Sequence, residues 1–87
     1  MNPGLSDVEI ARRVEHAIRK QVPKRLRAKL KLRILRHGIQ REDDWWYVPI
    51  CPGPTVRGYI YYDMLATIEG QLQDEEKLNV LLVPVRP

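Results

Sequence analysis

The sequence predicts a two-layer α+β sandwich in the order α-β-β-α-β, with a three-stranded sheet covered on one face by two helices. Two observations support this prediction. Apolar residues recur at helical spacing in two segments, around residues 10–18 and 61–72. Runs rich in β-branched and aromatic residues occupy 45–51 and 80–85, which is typical of strands.

The first helix has a clear start. Ser6 is followed three residues later by Glu9, a spacing typical of a capping box, and Asp7 lies where the helix dipole favours an anion. We expect about three to four turns, ended by Pro23, because proline disfavours the α conformation in the residue before it. The residues that predict the buried face are Ile10, Ala11, Val14, Ala17 and Ile18.

The segment 24–37 allows two interpretations. Leucine, alanine and isoleucine alternate with cations from Leu26 to Ile34, which is the pattern of a long strand. Alternatively, Pro23 opens a short helical turn and the strand starts near Lys29, the interpretation that we prefer. A polar loop then runs from Gly38 to Asp44, so a hairpin is the simplest connection to the strand at 45–51.

The second helix is predicted from four apolar residues, Tyr61, Leu65, Ile68 and Leu72, and should end near Gln73. The run from Val80 to Val85 is apolar on both faces, which favours a central or covered strand. Two placements of this strand stay open. It could follow a parallel crossover from the second strand or lie antiparallel to the first.

A length of 87 residues predicts one small domain over 1–87, with residues 1–5 as a flexible N-terminus. Apolar residues make up 44% and charged residues 30%, so the composition is that of a folded protein. No apolar run approaches the roughly 20 residues of a membrane span, and we expect no membrane association. The first residues do not resemble a secretory signal, and one cysteine forms no internal disulfide, so we expect a cytoplasmic protein.

Charge is unevenly distributed along the chain. Through Arg41 there are 12 Lys or Arg and 3 Asp or Glu, and after it there are 3 and 8. The basic half could neutralise phosphates of a polyanion, or it could pair with the acidic half within one molecule or between two. The cations expected to project from this half are Arg19, Lys20, Lys24, Arg25, Arg27, Lys29, Lys31, Arg33 and Arg36.

All six aromatic residues lie between Trp45 and Tyr62. With a loop centred near Gln40, Trp45 and Tyr47 would share a face of the hairpin with Lys31 and Arg33, as in a stacking platform for single-stranded nucleic acid. Trp46 must point the other way, into the core. The tyrosines at 59, 61 and 62 are expected to pack mainly against the sheet.

Little in the sequence points to catalysis. Cys51 has no base at a defined spacing, and with His16 and His37 it forms no zinc motif. The stretch 53–58 precedes a helix, so Thr55, Arg57 and Gly58 form a possible anion site, although the lysine and hydroxyl residue of a P-loop are missing. We expect no enzyme activity and no cofactor.

The sequence therefore predicts a binding module. The leading hypothesis is RNA or single-stranded nucleic acid bound through a basic face, with Trp45 and Tyr47 as stacking platforms. The cations of that face are Arg25, Arg27, Lys29, Lys31 and Arg33. The alternative is a protein interaction or homodimerisation domain in which the basic half meets an acidic surface.

Overall fold

The computed structural model describes residues 6–53 and 56–85. The predicted flexible segment 1–5 and Thr55 of the predicted anion site lie outside the described residues. Within the described residues, three helices and four strands form an α+β fold. Their bounds are α1 Asp7–Gln21, α2 Lys24–Leu30, β1 Arg33–Ile34, β2 Gln40–Glu42, β3 Trp45–Cys51, α3 Gly58–Asp74 and β4 Val80–Pro84, with a 3-10 turn at Arg36–Gly38.

The strand β3 is the centre of the sheet. Tyr47 pairs with Gln40 of β2 on one side and with Leu81 of β4 on the other. Ile50 likewise pairs with Ile34 of β1 and with Pro84 of β4. The antiparallel strands β1 and β2 therefore lie in line along one edge of β3, and β4 runs parallel to β3 along the opposite edge.

The sheet has four strands where three were predicted, because part of the predicted loop 38–44 forms the additional strand β2, which a 3-10 turn opposite Pro49 separates from β1. The Leu35 N–H donates to the Pro49 carbonyl at 3.0 Å, but proline has no N–H to return. The Leu35 carbonyl instead accepts from the Gly38 N–H at 2.9 Å, which closes the 3-10 turn. A Cβ on Gly38 would lie 2.8 Å from Pro49 Cγ, so this close approach requires glycine.

The helix α2 is longer than expected, and the strand starts later. The helical interpretation after Pro23 is confirmed, but α2 continues to Leu30 and β1 begins at Arg33 instead of near Lys29. Lys31 ends the helix in the left-handed conformation, with φ of 46°, and its N–H donates to the Arg27 carbonyl. The Gly53 N–H donates to the Leu30 carbonyl at 2.7 Å, which fastens the end of α2 to the loop after β3.

The core lies between the sheet and the helices α1 and α3. Both helices bury the faces that their spacing predicts. On β3, Trp46, Val48 and Ile50 are buried in the same cluster, as alternation requires. Of the helices within the described residues, none is long and apolar enough to cross a membrane.

The strand β4 is an edge strand in the described sheet, so the expectation of a central position was wrong. Of the two placements left open by the sequence, the parallel crossover through α3 is the one observed. Side chains of α3 bond to the outer edge of β4: Gln73 donates to the Val80 carbonyl at 2.9 Å, and Glu69 accepts from the Leu82 N–H at 2.8 Å. A strand with apolar residues on both faces is thus tolerated at an edge because α3 covers that edge.

Candidate anion-binding site

Residues 24–33 form a basic segment with six cations and no acidic residue. Five of the cations are exposed, and Arg27 is half-buried. We call these residues the basic segment: Lys24, Arg25, Arg27, Lys29, Lys31 and Arg33. It comprises all five basic residues predicted to form the binding face, together with Lys24.

No member of the basic segment forms an ion pair with another described residue. The ion pairs among residues 6–53 and 56–85 are Arg13–Glu76 at 3.3 Å, Lys20–Glu75 at 4.0 Å and Arg36–Glu15 at 2.8 Å. Two of them join α1 to the end of α3, so part of the predicted internal neutralisation occurs on α1. The charge of the basic segment stays unmatched.

The cations of α2 lie on two different sides of the helix. Leu30 is buried, and Arg27 lies one turn before it on the neighbouring part of the same face. Arg25 and Lys29 are one turn apart on the exposed side, where Lys24 is also exposed. The outward cations can meet a large polyanion, whereas Arg27 contributes to a pocket.

That pocket lies between α1, α2 and β1 and has a volume of about 390 Å³. We call it the arginine pocket. Its charged lining residues are Glu15, Arg19, Arg27, Arg33 and Arg36. Its aliphatic lining residues, which we call the floor of the pocket, are Ile18, Val22, Leu30, Leu32 and Ile34. Four arginines and one glutamate give the lining a net charge of +3.

Arg27 contains a buried donor that lacks a partner. Its Nε is the buried side-chain polar atom among the described residues without a hydrogen bond. A buried donor left without an acceptor costs about 1–3 kcal/mol, and an anionic oxygen would remove that cost. The arginine pocket is therefore suited to an acceptor that the protein itself does not supply.

The structure separates the predicted aromatic platform from the basic segment. Arg33 pairs with Cys51, so it lies on the same face of the sheet as Trp45 and Tyr47, as expected. Cys51 is six residues from Trp45, however, which is about 20 Å along a strand. Lys31 lies outside the strand, at the end of α2. The structure therefore brings Arg27 and Arg33 together in one pocket, with Trp45 and Tyr47 elsewhere.

Trp45 and Tyr47 belong to the sheet face turned away from the buried side chains of β3. By alternation and register the apolar part of this face, which we call the open sheet face, consists of Trp45, Tyr47, Pro49, Leu81 and Val83, and Glu42 and Gln40 of β2 lie opposite Trp45 and Tyr47. Trp45 is 36% exposed and Val83 37%. The sequence did not predict the contribution of Leu81 and Val83, because the position of β4 beside β3 was left open.

A cation–π contact forms at a different position from the one expected. The Arg41 guanidinium carbon lies 5.5 Å from the centre of the Trp46 ring, directly across the β2–β3 pairing. The register of the hairpin is the signal that identifies this pair. The hairpin loop was expected to be centred near Gln40. It is instead a tight turn at Asp43 and Asp44, and Gln40 lies inside β2.

The remaining candidate residues are Cys51, His16 and His37, together with the predicted anion loop. The Cys51 thiol is buried and lies 3.7 Å from the Pro52 carbonyl oxygen. His16 and His37 are exposed, and no group of three potential metal ligands occurs among residues 6–53 and 56–85. At the predicted anion loop, Arg57 is the N-cap of α3 and Gly58 its first residue. That site stays a prediction.

No protein-family model matches this sequence, and it has no match among curated proteins or solved structures. The features of the molecule that point to a function are the charges, the arginine pocket and the open sheet face.

Proposed function

We propose that this chain is a non-enzymatic module that binds RNA or single-stranded nucleic acid through the basic segment. The observation that carries this proposal is the absence of any acidic partner, within the described part of the chain, for its six cations. Exposed cations without intramolecular partners lose no ion pair when they meet phosphates. Counterions released from the nucleic acid then favour the complex.

The strength of this effect can be calculated for a partial footprint. If four of the six cations each neutralise a phosphate, the slope of log affinity against log salt should be about −3 for a single strand. Between about 50 and about 200 mM salt, the affinity would fall roughly 50-fold. A footprint confined to one or two cations would give a much shallower dependence.

Trp45 and Tyr47 enter the proposal as a second contact. Along the strand direction Trp45 lies about 20 Å from Arg33 and Tyr47 about 13 Å, so one nucleic-acid strand must extend from the basic segment to the open sheet face to reach both. Base stacking on these rings would add affinity only for oligonucleotides long enough to span that distance. The length dependence of binding therefore separates phosphate contacts alone from phosphate contacts with stacking.

The experiment is a fluorescence anisotropy titration of a mixed-sequence, single-stranded RNA of about 16 nucleotides at several salt concentrations. The test variant is the double substitution Arg25→Gln/Lys29→Gln on the outward side of α2. Its matched control is Arg12→Gln/Lys77→Gln, which removes the same charge from two exposed positions outside the basic segment. We expect a loss of roughly tenfold or more for the test variant, from about 1.5 kcal/mol or more for two charged contacts. Equal losses in both variants, or no binding at low salt, would refute the proposal.

A second function has separate support. We propose as the alternative that the open sheet face is a protein interaction or homodimerisation surface, since it exposes an aromatic and aliphatic patch on an otherwise packed sheet. Aromatic residues at the centre of a patch are typical of interaction sites. Light scattering over a range of protein concentrations tests the homodimer directly, and a monomer at every concentration would exclude it.

A further inference from the structure

The arginine pocket combines an aliphatic floor with a cluster of arginines, two of which, Arg27 and Arg33, also belong to the basic segment. Its floor contains Ile18, Leu32 and Ile34, which are only partly buried although they pack against the core. Its lining carries a net charge of +3. The partly exposed apolar area of the lining is hydrated at a cost in free energy, and the buried Arg27 Nε lacks an acceptor.

The arginines of the pocket differ in what holds them. Arg36 is bound to Glu15 at 2.8 Å, so this pair fixes one wall by linking α1 to the 3-10 turn. Arg19, Arg27 and Arg33 form no ion pair with any residue in 6–53 or 56–85. The buried Nε of Arg27 is an unused donor. The pocket therefore offers charged donors in excess of its own acceptors.

We propose that the arginine pocket binds a small amphipathic anion, an aliphatic chain that ends in a carboxylate or a phosphate. The arginines would bind the head by charge-assisted hydrogen bonds, and the aliphatic floor would cover the chain. A volume of about 390 Å³ is within the range of small-molecule sites, about 300–1,000 Å³. This inference goes beyond the proposed function, because it concerns a pocket on the inner side of α2 and a different class of ligand.

Two other occupants fit the pocket less well. A nucleobase would be expected to stack on an aromatic ring, and among the described residues no aromatic side chain lines the pocket. An inorganic anion would satisfy the arginines but would leave Ile18, Leu32 and Ile34 hydrated. The combination of head and chain uses both features of the lining.

The test is a titration of the protein with octanoate and with octyl phosphate, followed by calorimetry and by the NMR signals of the Ile and Leu methyl groups. Three control ligands are titrated in the same way. Octanol lacks the charge of the head, acetate lacks the aliphatic chain, and adenosine monophosphate carries a nucleoside in place of the chain. We expect saturable binding of octanoate, octyl phosphate or both, with shifts at Ile18, Leu32 and Ile34. The tighter of the two identifies the head group. Equal affinity for octanol or acetate, tighter binding of adenosine monophosphate, or no saturation by either octyl anion would overturn the proposal.

Variants separate the pocket from the outer side of α2. Arg27→Gln should weaken binding of the octyl anion at least about tenfold, because the anionic head loses a charge-assisted hydrogen bond to the guanidinium. Arg25→Gln, two residues earlier and outside the pocket lining, should leave the affinity unchanged. Arg33→Gln provides a second pocket variant at an exposed position, so that a folding defect of Arg27→Gln does not decide the result. Unchanged affinity in both pocket variants would refute the assignment.

Discussion

The backbone N–H of Leu82 donates a 2.8 Å hydrogen bond to the carboxylate of Glu69. One turn further along α3, Gln73 donates to the Val80 carbonyl at 2.9 Å. Pro84, two residues after Leu82, has no N–H to offer. The outer edge of β4 is thus largely closed to pairing with another strand, although its side chains are apolar on both faces.

Removing the Glu69 acceptor should destabilise this edge. We expect Glu69→Ala to lower the free energy of unfolding by about 1–2 kcal/mol, because the Leu82 N–H loses a charged acceptor that is only partly buried. Urea denaturation measures the loss, and amide hydrogen exchange at Leu82 localises it. Glu69→Gln keeps an acceptor at the same position and should retain most of the protection. Unchanged exchange at Leu82 in the alanine variant would contradict this account.

The Tyr61 hydroxyl joins the ends of β3 and β4. It donates to the Ile50 carbonyl and accepts from the Val85 N–H at 2.9 Å. Tyr61→Phe should therefore lower the free energy of unfolding by about 1–2 kcal/mol, the lower part of the range for buried groups, since the Val85 N–H also contacts the Ile50 carbonyl. The control is Tyr59→Phe at a position 63% exposed, where a change within about 0.5 kcal/mol is expected. Equal effects of the two substitutions would be inconsistent with the bridging role.

The 3-10 turn should be sensitive to the size of residue 38. We expect Gly38→Ala to cost about 1–3 kcal/mol, because the added methyl group would overlap Pro49 Cγ at 2.8 Å. Gly70→Ala is the matched substitution within α3, where a Cβ meets nothing within 4 Å, and it should stabilise by roughly 0.5–1 kcal/mol. Opposite signs in thermal unfolding are the expected outcome. A neutral Gly38→Ala would show that Pro49 moves aside without cost.

The homodimer alternative predicts a specific effect of Trp45. On that proposal, Trp45→Ser should raise the dissociation constant at least tenfold, about 1.4 kcal/mol, because aromatic residues dominate interface energies. Sedimentation equilibrium measures it. Tyr59→Ser removes an exposed aromatic residue from α3 and should leave association unchanged. Association that is equally strong in both variants would place the interface elsewhere.

The elements that sequence reasoning predicted well are those set by local signals. The Ser6 hydroxyl accepts from the Glu9 N–H at 3.3 Å, which is the N-cap bond of the predicted capping box, and α1 ends just before Pro23. The helix α3 buries Tyr61 and Leu72 and ends at Asp74, next to the predicted end at Gln73. Both helices have apolar spacing and termini that can be recognised within about 15 residues.

The elements that sequence reasoning missed depend on residues far apart in the chain. The break between β1 and β2 follows from the missing N–H of Pro49, on the neighbouring strand. In residues 24–30 the alternation of apolar residues and cations also allowed a strand. The hydrogen bond from the Gly53 N–H to the Leu30 carbonyl, which no local pattern predicts, stabilises the end of the helix. The sequence could not distinguish an edge position of β4 from a central one. Side chains of α3 supply the hydrogen-bond partners that an edge strand otherwise lacks, so β4 can be apolar on both faces. The cations of the candidate site were predicted from the sequence. The aliphatic floor of the arginine pocket was not predicted, because it comes from three elements whose packing no local pattern reveals.

The position of β4 has a consequence for how the chain folds. The central strand acquires its parallel neighbour only when residues 80–84 pair with residues 46–50. Pairing across that sequence separation requires closure of a long loop, so it should form late, after α1 and the antiparallel hairpin. A nascent chain that has not yet released Val80 from the ribosome therefore exposes one side of its central strand and the apolar face of α3. We expect co-translational collapse to a native-like core to wait for the last strand.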